Sequence, residues 1–136
     1  MEAFAASKLQ EAVYTALETD GALKARVNGI YDEPQPGATL PYVSMGDTRL
    51  SNDSLKDISG AKIQFDIVAW SNEASQMEAK ELMQLIVSAI GESNPALPGF
   101  DLLDIRLQNA SIVRQFSELG RLYRGTLSYI ASVYEA

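Results

Sequence analysis

The stretch Ala61-Lys62-Ile63-Gln64-Phe65-Asp66-Ile67-Val68-Ala69-Trp70 decides the fold. Ile63, Phe65, Ile67 and Ala69 alternate with Lys62, Gln64, Asp66 and Val68, a period of two that sends one set to each side of a strand. One side is apolar and the other mixed. Such a strand belongs in a sheet with one face buried under helices. Trp70 falls on the mixed side, at the strand's end.

Downstream, the spacing predicts a helix over about 76–90. Ala79, Leu82, Leu85, Ile86, Ala89 and Ile90 share one side of it. Ser75 and Glu78 fit the S-x-x-E capping box, which would give Glu78 a reason to sit on the apolar side. Gly91 is the expected stop. Pro95 and Pro98-Gly99 then mark a loop. Two closing strands follow, about 102–113 and 121–134, with a turn at 116–120. Leu103, Ile105 and Leu107 alternate in the first, and Tyr123, Gly125, Leu127, Tyr129, Ala131 and Val133 in the second.

Upstream, Leu9, Ala12, Val13, Ala16 and Leu17 form one face of a helix over about 3–18. Asp20 is placed to cap a short second helix carrying Leu23 and Val27, which Asn28-Gly29 would end. Ile30-Tyr31 reads as a short strand. Residues 32–41 hold three prolines and read as a loop, and Tyr42 to Met45 as another strand. Residues 47–60 hold few apolar side chains and many turn formers, which predicts a long hairpin arm or loop. Leu50 and Leu55 favour an arm that orders against a neighbour, because a purely solvated loop needs no leucine.

The fold class expected is α+β, as one domain over 1–136. Two main helices pack on one face of a mainly antiparallel sheet of four to five strands, with a long projecting hairpin arm or loop.

Composition narrows the function. Eleven basic and eighteen acidic residues give a net charge of −7, which argues against a surface built to neutralise phosphates. There is no cysteine and no histidine, so thiolate nucleophiles, Ser-His-Asp arrangements and histidine metal sites are excluded. No run approaches the roughly 20 apolar residues of a membrane helix. Met1-Glu2-Ala3-Phe4 lacks the start of a signal peptide, so a cytosolic product is expected.

Asp53 with Asp57, and Asp101 with Asp104, are spaced as carboxylate pairs that could transfer protons or bind a hard cation. Both pairs also sit where loops enter strands, a common place for solvated acids. EF-hand and phosphate-loop patterns are absent, and the sequons at Asn52 and Asn109 carry no weight without a secretory signal. Arg121, Tyr123 and Arg124 mix charge with an aromatic ring, yet no broader basic stripe accompanies them. No catalytic, cofactor-binding or metal-ligating residue is therefore named. An enzyme or ligand-binding protein using carboxylates or Lys62 stays as an alternative.

Several segments, in order, resemble the tail terminator or tail completion proteins of long-tailed phages and gene transfer agents. They are Leu9-Gln10-Glu11-Ala12-Val13-Tyr14, Asp20-Gly21-Ala22-Leu23, Val27-Asn28-Gly29-Ile30-Tyr31-Asp32, Leu40-Pro41-Tyr42-Val43, Phe65 to Ser71 and Arg124-Gly125-Thr126-Leu127. The resemblance implies a structural virion protein, with no enzyme activity and no cofactor. It implies a ring, typically of six copies, at the head–tail junction, assembled in the bacterial host cytoplasm. That ring would stop tail-tube polymerisation, with the major tail tube protein on one side and a head-side connector on the other. DNA would pass through its lumen without specific binding, and no membrane is involved. Another connector or tail-tube subunit stays as an alternative. Subunit-interface candidates are Arg49, Leu50, Asp53, Leu55 and Lys56 on the arm, and Gln64, Asp66, Arg124 and Thr126 on the mixed sheet face.

Overall fold

The computed structural model describes residues 2–54, 56–93, 97–117 and 120–135. Helix α1 (Glu2–Glu18) buries Ala5, Leu9, Val13 and Leu17, one residue per turn on a single stripe. Helix α2 (Gly21–Lys24) is capped as expected: Asp20 Oδ1 accepts from Leu23 N–H at 2.9 Å, and Leu23 is fully buried. Strand β1 (Ile30–Tyr31) precedes the proline loop. Strands β2 (Tyr42–Asn52) and β3 (Gly60–Ser71) form the first hairpin. Helix α3 (Met77–Glu92) leads to the second hairpin, β4 (Phe100–Ser117) and β5 (Gly120–Glu135).

The sheet order is β1-β2-β3-β5-β4. Three of its junctions are antiparallel, but β1 runs parallel to β2, and an isolated bridge forms at Ile58. The sheet curls into a half-barrel. The simple antiparallel sheet expected from sequence is thus corrected to a mixed, curled one with three helices. Parallel neighbours need a crossover, and here the proline loop makes it. Asn28 fastens that loop: its N–H donates to Pro41 O and its side chain to Leu40 O, both at 2.9 Å, across the cis Leu40–Pro41 bond. Val43 N–H then bonds Gly29 O at 3.1 Å. The segments 27–32 and 40–43 are two halves of one joint.

The inner, helix-covered face carries the rows Ile63–Ala131, Phe65–Tyr129, Ile67–Leu127 and Ala69–Gly125. All are buried, and the Phe65 and Tyr129 rings stack at 5.5 Å. From α3, Ala79, Leu82, Met83, Ile86, Ala89 and Ile90 descend on them. Met83 fills the space over Gly125, where an added Cβ would lie 2.6 Å from its Sδ. Burying one such leucine or isoleucine contributes about 1.5–3 kcal/mol, so the inner face supplies most of the stabilisation.

Three expectations change in detail. The capping box does not form. Gln76 is the N-cap, with helical backbone and no side-chain cap bond. Glu78 Oε1 instead accepts from Ser71 Oγ at 2.7 Å. Ser71 is fully buried, and a buried hydroxyl takes the nearest strong acceptor. Gly91 lies inside α3 rather than after it. Bulges in β4 between Leu102 and Asp104, and between Leu107 and Asn109, break the simple alternation read there.

Candidate assembly surface

Half of the segment expected as a long hairpin arm or loop is strand. Thr48 to Asn52 pair with Phe65 to Ala61, so the long loop shrinks to a turn over 53–59. That turn is tied down from several sides. Asp53 N–H bonds Gly60 O at 3.0 Å, and Gly60 N–H donates to Ser54 Oγ at 3.2 Å. Ser54 N–H donates to Asn52 Oδ1 at 2.9 Å. Tyr134 on β5 donates its phenol to Asp53 Oδ2 at 2.7 Å, which raises the Tyr134 pKa. The same ring lies over Gly60, where an added Cβ would come within 2.3 Å of it. The projecting arm is therefore corrected to a clasped end of the sheet. The pairing of β2 past Met45 was not visible in a stretch this polar.

The outer face, free of helices, is built in transverse rows. At one end stand Tyr42, Trp70, Arg124 and Val113, one from each of four strands. Tyr31 meets Tyr42 edge-on at 5.6 Å, and Trp70 lies 6.2 Å from Tyr42. Trp70 Nε1 donates to Ser44 Oγ at 2.9 Å. Arg124 Nε is buried there without a hydrogen-bond partner. Next come Ser44, Val68, Thr126 and Ser111, then Asp66, Ser128 and Asn109, with Ser128 Oγ donating to Asp66 Oδ1 at 2.7 Å. Arg49, Gln64, Ile130 and Arg106 form the following row, and Ser51, Lys62, Ser132 and Asp104 the one after.

Of the candidates, Arg49, Gln64 and Asp66 meet in one open polar depression of about 280 Å³, with Asp47, Gln108, Asn109 and Ser128. Arg124 and Thr126 share that face, nearer the aromatic end. Asp53 is taken up by Tyr134, and Lys56 is exposed in the turn. Leu50 pairs with Ile63 and so lies on the opposite, helix-covered face. Leu55 lies outside the described residues. Sequence reasoning missed Gln108 and Asn109, because the bulge beside them hides their face. It also left Leu107, 41% exposed, among ordinary strand residues, and placed Phe116, 77% exposed, in a turn, whereas β4 runs on to Ser117.

Among the described residues no cluster of three or more carboxylates could hold a metal ion. Asp104 is paired with Arg106 at 2.7 Å, Asp53 with Tyr134, and Glu78 with Ser71. The depression mixes two carboxylates, one guanidinium and four amide or hydroxyl groups in the open. That is a surface for polar contacts, since a proton-transfer site needs a secluded, shifted group. Three arginines, Arg114, Arg121 and Arg124, gather toward the tip of the second hairpin. Arg114 lies 5.8 Å from the Tyr123 ring, and Arg121 donates to Ala74 O at 2.9 Å.

Similarity to known proteins agrees with this picture. A chain in the virion of a native gene transfer agent particle superposes with a TM-score of 0.84 at 28% identity, covering 96% of this chain and 97% of that one. The structure of the bacteriophage SPP1 gp17 protein superposes with a TM-score of 0.68 at 20% identity, covering 97% and 94%, a likeness of fold. No curated protein matches the sequence. Residues 11–134 match the family of the tail completion protein gp17, and the chain belongs to that family.

Proposed function

We propose that this protein is a structural subunit that forms a ring at the head-proximal end of a tail. The ring stops tube polymerisation and offers the surface on which the head-side connector seats. The observation that carries this reading is the end-to-end similarity to a chain of a gene transfer agent virion. Family membership across residues 11–134 supports it. The chemistry is compatible: a helix-free face that mixes polar, charged and aromatic side chains suits contact between subunits.

The ring is made of copies of this chain, six in number, with the major tail tube protein on one side and a head-side connector on the other. The net charge of −7 suits a lumen through which DNA slides, because like charge avoids trapping phosphates. Interface residues are sought first at Arg49, Gln64, Asp66, Arg124 and Thr126 on the outer face, and at Leu50 on the free half of β2.

Native mass spectrometry of the full chain, alone and mixed with tail tubes, tests the ring. Closed multimers of one size are expected. A strict monomer in both conditions contradicts the proposal.

A further inference from the structure

Each molecule has two open sheet edges, on opposite sides. Strand β4 pairs with β5 over 100–117, and among the described residues no strand lies on its other side. Strand β2 has β3 on one side, but β1 covers only Val43 and Ser44, so among the described residues no strand lies beside 45–52 on the other. Edges this long invite pairing unless something covers them.

We propose that copies join edge to edge, β4 of one against the open half of β2 in the next, in a register that sets Leu107 beside the neighbouring copy's Leu50. This deepens the ring reading and rests on it. The directions of the strands favour a second copy as the occupant. Successive antiparallel pairings from β2 through β3 and β5 make β4 run opposite to β2. Copies pointing the same way therefore meet as an antiparallel pair, and the sheet continues unbroken. Because the two edges differ, the contact is head-to-tail, the kind that closes a ring when the rotation allows.

The side chains select the register. Leu50 and Leu107 are 36% and 41% exposed, and both belong to rows of the helix-covered face, at its two margins. Each lacks cover that the other can give. Continuing the rows straight across sets Arg49 opposite Arg106, through the row Arg49–Gln64–Ile130–Arg106. Like charges directly opposed destabilise a strand pair. A slide of two residues keeps every side chain on its proper face. It sets Leu50 opposite Leu107 and Ser51 opposite Arg106. A stagger of this kind is also what a closing sheet requires. The regular stretch 104–107, between the two bulges of β4, is the part this register uses.

The chain has no cysteine, so paired cysteines report cleanly. The test is the full chain carrying Leu50→Cys and Leu107→Cys, oxidised mildly both in solution and on tail tubes. Covalent multimers that end at the ring size, and that collapse on reduction, are expected. Either single variant stays uncross-linked, and the straight-across pair Arg49→Cys with Arg106→Cys reacts poorly. Rings seen by native mass spectrometry without the 50–107 cross-link overturn the edge pairing and leave the ring reading standing. Absence of any multimer, alone or on tubes, overturns both. Hydrogen exchange of the unmodified protein gives an independent readout. Amides at 48–52 and 104–107 must gain protection together on assembly, and unchanged exchange there contradicts the pairing.

Discussion

Replacing Gly60 by alanine tests the clasp that closes the first hairpin. Gly60 does not have a positive φ, so the backbone itself tolerates alanine. Removing glycine's freedom in the unfolded chain would by itself stabilise by about 0.4–1 kcal/mol. The obstacle is Tyr134. The new Cβ would lie 2.3 Å from Cδ1 and 2.4 Å from Cε1 of that ring, and 3.1 Å from Asp53 O. The ring must swing out, giving up both its packing and its bond to Asp53 Oδ2. Overpacking of this kind costs about 1–3 kcal/mol. In a chain of this size about 1 kcal/mol shifts Tm by roughly 3–5 °C. Thermal melts should therefore show Gly60→Ala lowered by several degrees. In a Tyr134→Ala background the same substitution should be close to neutral or slightly stabilising. The double-mutant cycle then reports a coupling of about 1 kcal/mol or more between the two sites. Additive effects, with Gly60→Ala equally harmful in both backgrounds, would refute the clasp.

Tyr129 gives a second prediction. Its hydroxyl is buried without a partner, and burial raises its pKa from the ordinary 10.0 to about 12. A raised folded-state pKa contributes stability that is complete below pH 10 and is lost as pH rises toward 12. Tyr129→Phe keeps the stack on Phe65, so it should be neutral or stabilising by up to about 1 kcal/mol at pH 7. Its stability should also fall less steeply between pH 10 and 12, as denaturant melts across that range would record. Ser71→Ala strips Glu78 of its buried donor and should cost about 1–2 kcal/mol in urea titrations. An unchanged midpoint would mean that the hydroxyl does not anchor α3. Leu107→Glu should lower the melt of the isolated chain only a little, because the side chain is 41% exposed at the sheet margin, while sharply reducing multimers in native mass spectra. Undiminished assembly would count against the β4 edge.

The period of two in 61–70 and 123–133, and the one-in-four stripe of α1, were enough to reveal the inner face. Those patterns are enforced by burial, and Leu9, Val13, Leu17, Ile63, Ile67 and Leu127 are all nearly inaccessible to solvent. The parallel β1–β2 junction was not legible, because three prolines announce a loop without saying where the chain returns. The continuation of β2 past Met45 was hidden for a related reason. A bulge between Met45 and Thr48 breaks the alternation, and beyond it the side chains are exposed whichever face they take. Polar composition alone cannot separate a paired strand on an open margin from a loop. The outer-face candidates Gln64, Asp66, Arg124 and Thr126 followed from parity along β3 and β5, which has no bulge to disturb it. Asp53 looked free only because its partner, Tyr134, lies 81 residues away.

We propose that this subunit ends the tail and prepares it for the head. Electron micrographs of particles from a producing strain lacking the gene test it most directly. Tails of uncontrolled length, unjoined to filled heads, are predicted, with normal tails restored by supplying the protein. Joined tails of normal length without the protein, or no tails at all, would contradict it.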